Sequence, residues 1–178
     1  MHFPIKQKPA KVIWLTGLSG AGKTTLAKGF GARLESIGIA WILLDGDEVR
    51  KTLCSDLGYS IEDRCENIRR VAREASRLRK EGKTVIAAFI SPTIEIRSMA
   101  REIIGSENYI EIYLCTPLEV CEKRDRKGLY KKARAGEISN FTGIDSLYEP
   151  PLNPLLSIDT SHKTVDKCLD ELEKILFD

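Results

Sequence analysis

Residues 17–24, Gly-Leu-Ser-Gly-Ala-Gly-Lys-Thr, follow a β-rich run and open a helical pattern, and this corner constrains the chain more than any other stretch. The spacing fits G-x-x-x-x-G-K-[ST], in which glycines let successive backbone N–H groups turn inward on phosphate oxygens while the following helix adds its partial positive charge. Side chains there would obstruct the ligand. Gly17, Leu18, Ser19, Gly20, Ala21, Gly22, Lys23, Thr24 and Thr25 are the candidate cradle for ATP or GTP. Lys23 is expected to reach the β- and γ-phosphates, and the Thr24 hydroxyl to ligate Mg²⁺. A cradle of this kind does not name what receives the phosphate.

The rest of the chain supplies the scaffold such a corner needs. Val12–Thr16, Ala40–Leu44, Thr84–Ile90, Tyr109–Cys115 and Leu156–Asp159 read as strands, and 22–36, 61–81, 94–104, 117–135 in one or two pieces and 163–177 as helices. Near-continuous apolar strands separated by crossover-length helices predict an α/β fold with a parallel sheet covered on both faces. At 178 residues the chain fits a single domain, 1–178, after a short ragged N-terminus. The net charge of +2 supplies no global field for nucleic acid or an anionic membrane, so neither is an expected partner. Val85–Ile90, the longest kind of apolar run present, is far short of the ~20 residues that span a bilayer. Five cysteines without a C-x-x-C pair, and only His2 and His162 beside them, give no zinc set and suit a reducing cytoplasm.

The helix from Ile61 has Ser60 as N-cap and Ile61, Cys65, Ile68, Ala72 and Ala75 as an apolar stripe. Its other faces carry Arg64, Arg69, Arg70, Arg73, Arg77 and Arg79, interleaved with Glu62, Asp63, Glu66, Glu74 and Glu81. Mixed signs of this kind make helix-surface pairs rather than the one-signed patch that phosphate backbones favour.

Asp45-Gly46-Asp47 stands at the C-terminal end of the second strand, where open α/β sheets place ligands, although the same tripeptide also suits a plain turn. Arg50 follows closely and favours a site. A carboxylate of ordinary acidity, pKa about 4, cannot deprotonate an alcohol beforehand; in phosphoryl transfer it orients the hydroxyl and accepts its proton late. Asp47 is the candidate for that role, with Asp45 supporting it or the Mg²⁺ hydration shell.

With these residues in place the sequence resembles the adenylylsulfate (APS) kinase family. The blocks that carry the resemblance are GLSGAGKTT at 17–25, LDGDEVR at 44–50, DLGYS and DRCENIRR within 56–70, FISP at 89–92, RDRKGLYKKARAGEISNFTGID at 124–145 and YEPPLNP at 148–154. The resemblance implies a three-layer P-loop kinase fold with a five-stranded parallel sheet, a mobile lid over about 124–147, Mg²⁺-ATP as donor, and transfer to the 3′-hydroxyl of adenosine 5′-phosphosulfate to give PAPS and ADP in sulfate assimilation. It places Asp45, Asp47, Arg50, Arg64, Asn67, Ile90 and Ser91 in the acceptor pocket, where arginines can fork onto the phosphosulfate. Tyr59, where relatives commonly have Phe, and Phe141 are the rings between which a purine would stack, unless they are simple core packing. Lys127 and Lys132 fall in the lid, as neutralising cations or as solvated side chains.

Ser91 belongs to a motif discussed as holding a phosphorylatable serine and is a candidate catalytic residue, its plain alternative being a polar end to the third strand before Pro92. A nucleophilic serine needs an activating base, and none stands nearby in sequence, whereas direct transfer needs only positioning and electrostatic stabilisation. Two positions depart from the family pattern. Ile94 replaces a common arginine, for which Arg97 one helical turn on is a candidate substitute, and Arg126 replaces a common proline. A homodimer, an ATP sulfurylase partner and a cytoplasmic location are compatible with the resemblance. The competing readings are a catalytically silent nucleotide- or PAPS-sensing domain and another small-molecule P-loop kinase.

Overall fold

The computed structural model describes residues 10–177. The ragged N-terminus expected from the sequence lies outside them. Five strands, β1 (Val12–Thr16), β2 (Trp41–Asp45), β3 (Thr84–Ala88), β4 (Tyr109–Leu114) and β5 (Leu156–Ile158), form one parallel sheet in the order β2-β3-β1-β4-β5. Among the described residues, seven helices connect and cover them: α1 (Lys23–Ser36), α2 (Gly46–Lys51), α3 (Ile61–Lys80), α4 (Ile94–Ile104), α5 (Leu118–Arg124), α6 (Leu129–Arg134) and α7 (Val165–Phe177). The expected P-loop kinase architecture is present, with α2 added.

Side chains alternate across the pleat and so build two cores. Ile13, Leu15, Ile86, Ile112, Leu114 and Ile158 face α1 and α7, meeting Leu26, Phe30, Leu34, Leu169 and Leu172. Val12, Trp14, Val85 and Ala87 face α3 and α4, meeting Ile68, Val71, Ala75, Leu78, Ile96 and Ala100. Trp14 has no exposed surface and stacks on Phe89 at 5.6 Å between ring centroids. Truncating a ring buried this deeply costs about 3–5 kcal/mol, so the sheet is anchored directly beneath the strand ends that carry the site.

Two local expectations change and one holds. β3 ends at Ala88, not Ile90, because the Ile90 carbonyl accepts from the Thr16 hydroxyl at 2.7 Å and the chain turns at Ser91. Ile61 is 76% exposed: its turn of α3 projects beyond the packed stretch, and the buried stripe is Ile68, Val71, Ala72, Ala75 and Leu78. The α3 arginines pair with their neighbours, Arg69 and Arg70 with Glu66 and Arg77 with Glu74 and Glu81. Exposed pairs of this kind are screened by solvent and contribute little to stability.

Candidate active site

The C-terminal ends of the strands open on a cavity of about 730 Å³, within the range of small-molecule sites. The cradle residues from Ser19 to Thr25, apart from Ala21, line one side, and Asp45, Asp47, Arg50, Tyr59, Arg64, Asn67 and Phe141 the other, with Ile90, Ser91 and Lys127 completing the wall. Four expected residues do not line it. Gly17 and Ala21 are buried within the loop and Leu18 lies against the turn at Gly143, whereas Lys132 sits on the exposed face of α6.

The cradle's shape depends on glycine at two points. Gly17 brings the backbone so close to β4 that a Cβ would stand 2.7 Å from the Leu114 carbonyl oxygen. Gly22, at φ +100°, caps α1 in the left-handed region, and no side chain takes up the first helical N–H groups. Unpaired helix-start donors of this kind suit an anion. The Lys23 ammonium donates to the Gly17 and Leu18 carbonyls at 2.8 and 2.7 Å. Although part of this side chain reaches solvent, the enclosing loop strips its hydration, and that desolvation lowers its pKa to about 8, offset in part by Cys121 and Asp45.

Asp45 links the two sides of the cavity. One carboxylate oxygen accepts from the Thr24 hydroxyl at 2.6 Å, and the other caps α2 by accepting the Asp47 amide at 3.0 Å. This helix reads as a turn in the sequence, yet its grammar is present there: Asp45 as cap, Asp47 and Glu48 in the first turn, Arg50 and Lys51 in the last. The cap places Asp47 at the cavity mouth, 61% exposed, where the Lys127 ammonium pairs with it. Thr24 and Asp45 set two hard oxygen atoms side by side at the end of the cradle, a donor pair that suits Mg²⁺, which keeps several waters and takes few protein ligands.

On the acceptor side the Arg50 guanidinium lies 4.2 Å from the Tyr59 ring centroid and donates to the Gly58 carbonyl at 2.7 Å. Arg64 donates to the Tyr59 carbonyl, to the Thr142 hydroxyl at 2.8 Å and to the Asn140 carbonyl. Burial, reinforced by Arg50, pulls its pKa below the ordinary guanidinium value. Asn67 is 4% exposed, and its Nδ2 has no hydrogen-bond partner. A buried donor left unsatisfied on a cavity wall is costly unless a ligand completes it.

The segment at 124–147 ties both sides together through residues that sequence reasoning did not single out. Tyr130, 1% exposed, donates its hydroxyl to the Ser19 carbonyl at 2.9 Å and meets Phe141 edge-on at 4.9 Å. Arg124 donates to the Gly20 carbonyl at 3.1 Å and to the Thr160 hydroxyl at 2.8 Å, and Thr160 donates to the Ala21 carbonyl at 3.0 Å. Both Tyr130 and Arg124 lie inside the block at 124–145, of which only the lysines and Phe141 carry an expected role.

The Ser91 hydroxyl is held by two neighbours. It accepts from the Trp14 indole N–H at 3.1 Å and donates to Thr16 Oγ1 at 3.0 Å. No carboxylate or imidazole among the described residues bonds it. Arg97 does not substitute for a cation at position 94: it is 3% exposed and donates to the Ser91 and Glu149 carbonyls at 2.7 and 2.6 Å. Ile94 itself lines a separate hollow of about 190 Å³, whereas Arg126 lines the main cavity.

A family model described as adenylylsulphate kinase matches residues 9–159. The chain belongs to the adenylylsulphate kinase family. An adenylyl-sulfate kinase of Marinobacter nauticus is 52% identical over 166 residues, spanning 93% of this chain and 83% of the relative. The solved structure of the Mycobacterium tuberculosis APS kinase CysC in complex with AMPPNP and APS superposes with a TM-score of 0.92 at 42% identity, covering 96% of this chain and 99% of that one. A gluconokinase from Sinorhizobium meliloti, 14% identical with a TM-score of 0.61 over 94% of this chain and 91% of that one, shares the fold alone. Membership in the adenylylsulphate kinase family makes the chain a kinase that uses ATP, and PAPS formation in sulfate assimilation is that family's known role. No helix among the described residues is long and apolar enough to cross a membrane.

Proposed function

We propose that the protein transfers the γ-phosphoryl group of ATP to the 3′-hydroxyl of adenosine 5′-phosphosulfate by direct in-line displacement, giving PAPS and ADP. The observation that carries this reading is the single cavity that joins a phosphate cradle to a wall of two arginines, two aromatic rings and an unsatisfied buried amide. The cradle amides and Lys23 hold the triphosphate, and a phosphate oxygen replaces the Gly17 and Leu18 carbonyls as partner of the ammonium. Arg50 and Arg64 fork onto the phosphosulfate, the purine lies between Tyr59 and Phe141, and Asn67 Nδ2 donates to an acceptor on the base edge.

Asp47 orients the ribose hydroxyl and accepts its proton as the new oxygen–phosphorus bond forms and the bond from the γ-phosphorus to the ADP oxygen breaks. Lys127, paired with Asp47, is placed to follow the developing negative charge. Thr24 and Asp45 would hold Mg²⁺, which when bound neutralises charge on the β- and γ-phosphate oxygens. Ser91 takes no covalent part, since its hydroxyl is held by Trp14 and Thr16.

An acceptor panel with purified protein tests the reading. ADP release with APS should exceed release with shikimate, gluconate or nucleoside monophosphates by at least about 10², the discrimination expected when buried polar groups go unpaired with the wrong ligand. Preference for another acceptor, or tight PAPS binding without turnover, overturns it. The same reading includes a homodimer, an ATP sulfurylase partner and a cytoplasmic location. Light scattering of the protein alone and mixed with ATP sulfurylase checks the first two, and cell fractionation the third.

A further inference from the structure

The block at 148–154 has no role in the chemistry above, and the structure uses its first two residues as a strap across the end of β3. The Glu149 amide donates to the Pro92 carbonyl at 2.8 Å, a Glu149 carboxylate oxygen accepts the Ile94 amide at 2.7 Å, and the Tyr148 hydroxyl bonds Thr16 Oγ1 at 2.9 Å. Beneath the strap lies Arg97. Its guanidinium bridges the Ser91 and Glu149 carbonyls, stands 3.4 Å from a carboxylate oxygen of Glu111 and lies 5.7 Å from the Tyr148 ring centroid. Glu111 is itself 7% exposed and is further held by the Tyr109 hydroxyl at 3.1 Å and Arg101 at 3.3 Å.

A charge this deeply buried is retained at a desolvation cost, and what it touches indicates its use. Ser91 stands at φ +39°, in the left-handed region that side-chain-bearing residues seldom occupy. Asn140, at φ +57°, is the other non-glycine residue with positive φ among those described, and its carbonyl is likewise taken by an arginine, Arg64. β3 lies between β2, which carries Asp45, and β1, which leads into the cradle. The Ser91 corner therefore follows the strand that lies between Asp45 and the cradle loop, and Ile90 and Ser91 line the cavity there.

We propose that Arg97 is a positioning residue that, with the Tyr148–Glu149 strap, holds the left-handed Ser91 corner and thereby the placement of the acceptor against the cradle. This rests on the APS kinase reading. Arg97→Lys keeps a positive charge beside Glu111 but replaces a rigid planar fork with a flexible point donor that does not hold the Ser91 and Glu149 carbonyls and Glu111 in one fixed geometry. It should lower kcat/KM for APS about tenfold or more, since small misplacements at a reacting centre are costly, while KM for ATP moves less than about threefold.

Ser91→Gly and Ser91→Ala separate the cause, because both remove the hydroxyl and only glycine enters positive φ freely. Combined with Arg97→Lys, Ser91→Gly should restore kcat/KM for APS to within about threefold of the Ser91→Gly single variant, and Ser91→Ala should not restore it. Equal losses for ATP and APS, no loss in the folded variant, or equal behaviour of the glycine and alanine combinations overturns the proposal. Should Arg97→Lys not fold, Tyr148→Phe loosens the strap at Thr16 and must show the same APS-selective loss, a balanced loss or none again overturning it. A wild-type protein inactive on APS would instead strike the underlying functional reading, an outcome distinct from an active wild type with unselective variants.

Discussion

The two sides of the cavity are made by opposite means. The donor side is one contiguous loop, Gly17–Thr25, whose working groups are backbone amides at a helix start, a single lysine and the Thr24 hydroxyl. The acceptor side is assembled from separate segments, at 45–50, 59–67, 90–91 and 127–142, and its working groups are side chains held by one another and by loop carbonyls. A backbone cradle is set by local conformation and fails as a unit, whereas a wall of side chains degrades by increments. Substitutions on the donor side should therefore abolish turnover for every acceptor, and those on the acceptor side, apart from the reacting carboxylate of Asp47, should redistribute affinity and specificity.

The sharpest break of that contrast is Lys23→Ala, which should lower kcat by at least about 10³ while leaving the melting temperature within a few degrees, because the charge serves the transition state and is a burden to the fold. Near-normal turnover in the folded variant would remove the cradle assignment. Asp47→Asn keeps shape and loses the proton acceptor, so kcat should fall by about 10² to 10⁴ with little change in APS affinity. A change confined to KM would make Asp47 a binding residue only. Phe141→Leu keeps apolar bulk and loses the ring face; stacking of roughly 1–3 kcal/mol per base predicts APS binding weaker by about 5- to 150-fold in calorimetry, with ADP affinity nearly constant.

A smaller effect reports on the lysine's surroundings. Lys23 free of ligand loses its proton near pH 8, below the 10.5 of an ordinary lysine, and bound phosphates favour the charged form. At pH 9, ADP binding should take up protons, read as a dependence of the calorimetric heat on buffer ionisation enthalpy, and this uptake should vanish in Lys23→Ala. The sign for folding is opposite to that of a salt-bridged lysine. Between about pH 8 and 10.5 the unfolded chain holds more protons at this position, so the lysine's destabilising contribution, full below pH 8, is relieved as pH rises through that window.

The same contrast explains what could be read from the amino-acid order. The cradle is legible because its chemistry, its conformation and its sequence spacing coincide within nine residues, and the strands are legible because each is a short apolar run. Helix α2 escapes because six residues beginning Gly-Asp look like a turn until Asp45 is seen to cap them. Ile61 joins the wrong face because helical spacing gives a stripe but not the point at which a helix leaves its neighbour. Spacing sets Arg97 one turn from position 94, near the right corner, but only the fold brings Glu111, Ser91 and Glu149 around it and so reveals what it holds. A usable signal is present in β4, where Glu111 stands alone among Tyr109, Ile110, Ile112, Tyr113 and Leu114 and requires a buried partner. Tyr130 offers no such signal, since a tyrosine beside Lys131 and Lys132 reads equally well as surface or core.

The most direct measurement is a crystal structure of this protein with a non-hydrolysable ATP analogue and APS bound together. The triphosphate should lie along Ser19–Thr25, with the APS 3′-oxygen within hydrogen-bonding reach of the Asp47 carboxylate and in line with the γ-phosphorus. A triphosphate seated elsewhere, or a ribose turned so that its 3′-oxygen faces away from that phosphorus, would contradict direct transfer across this cavity.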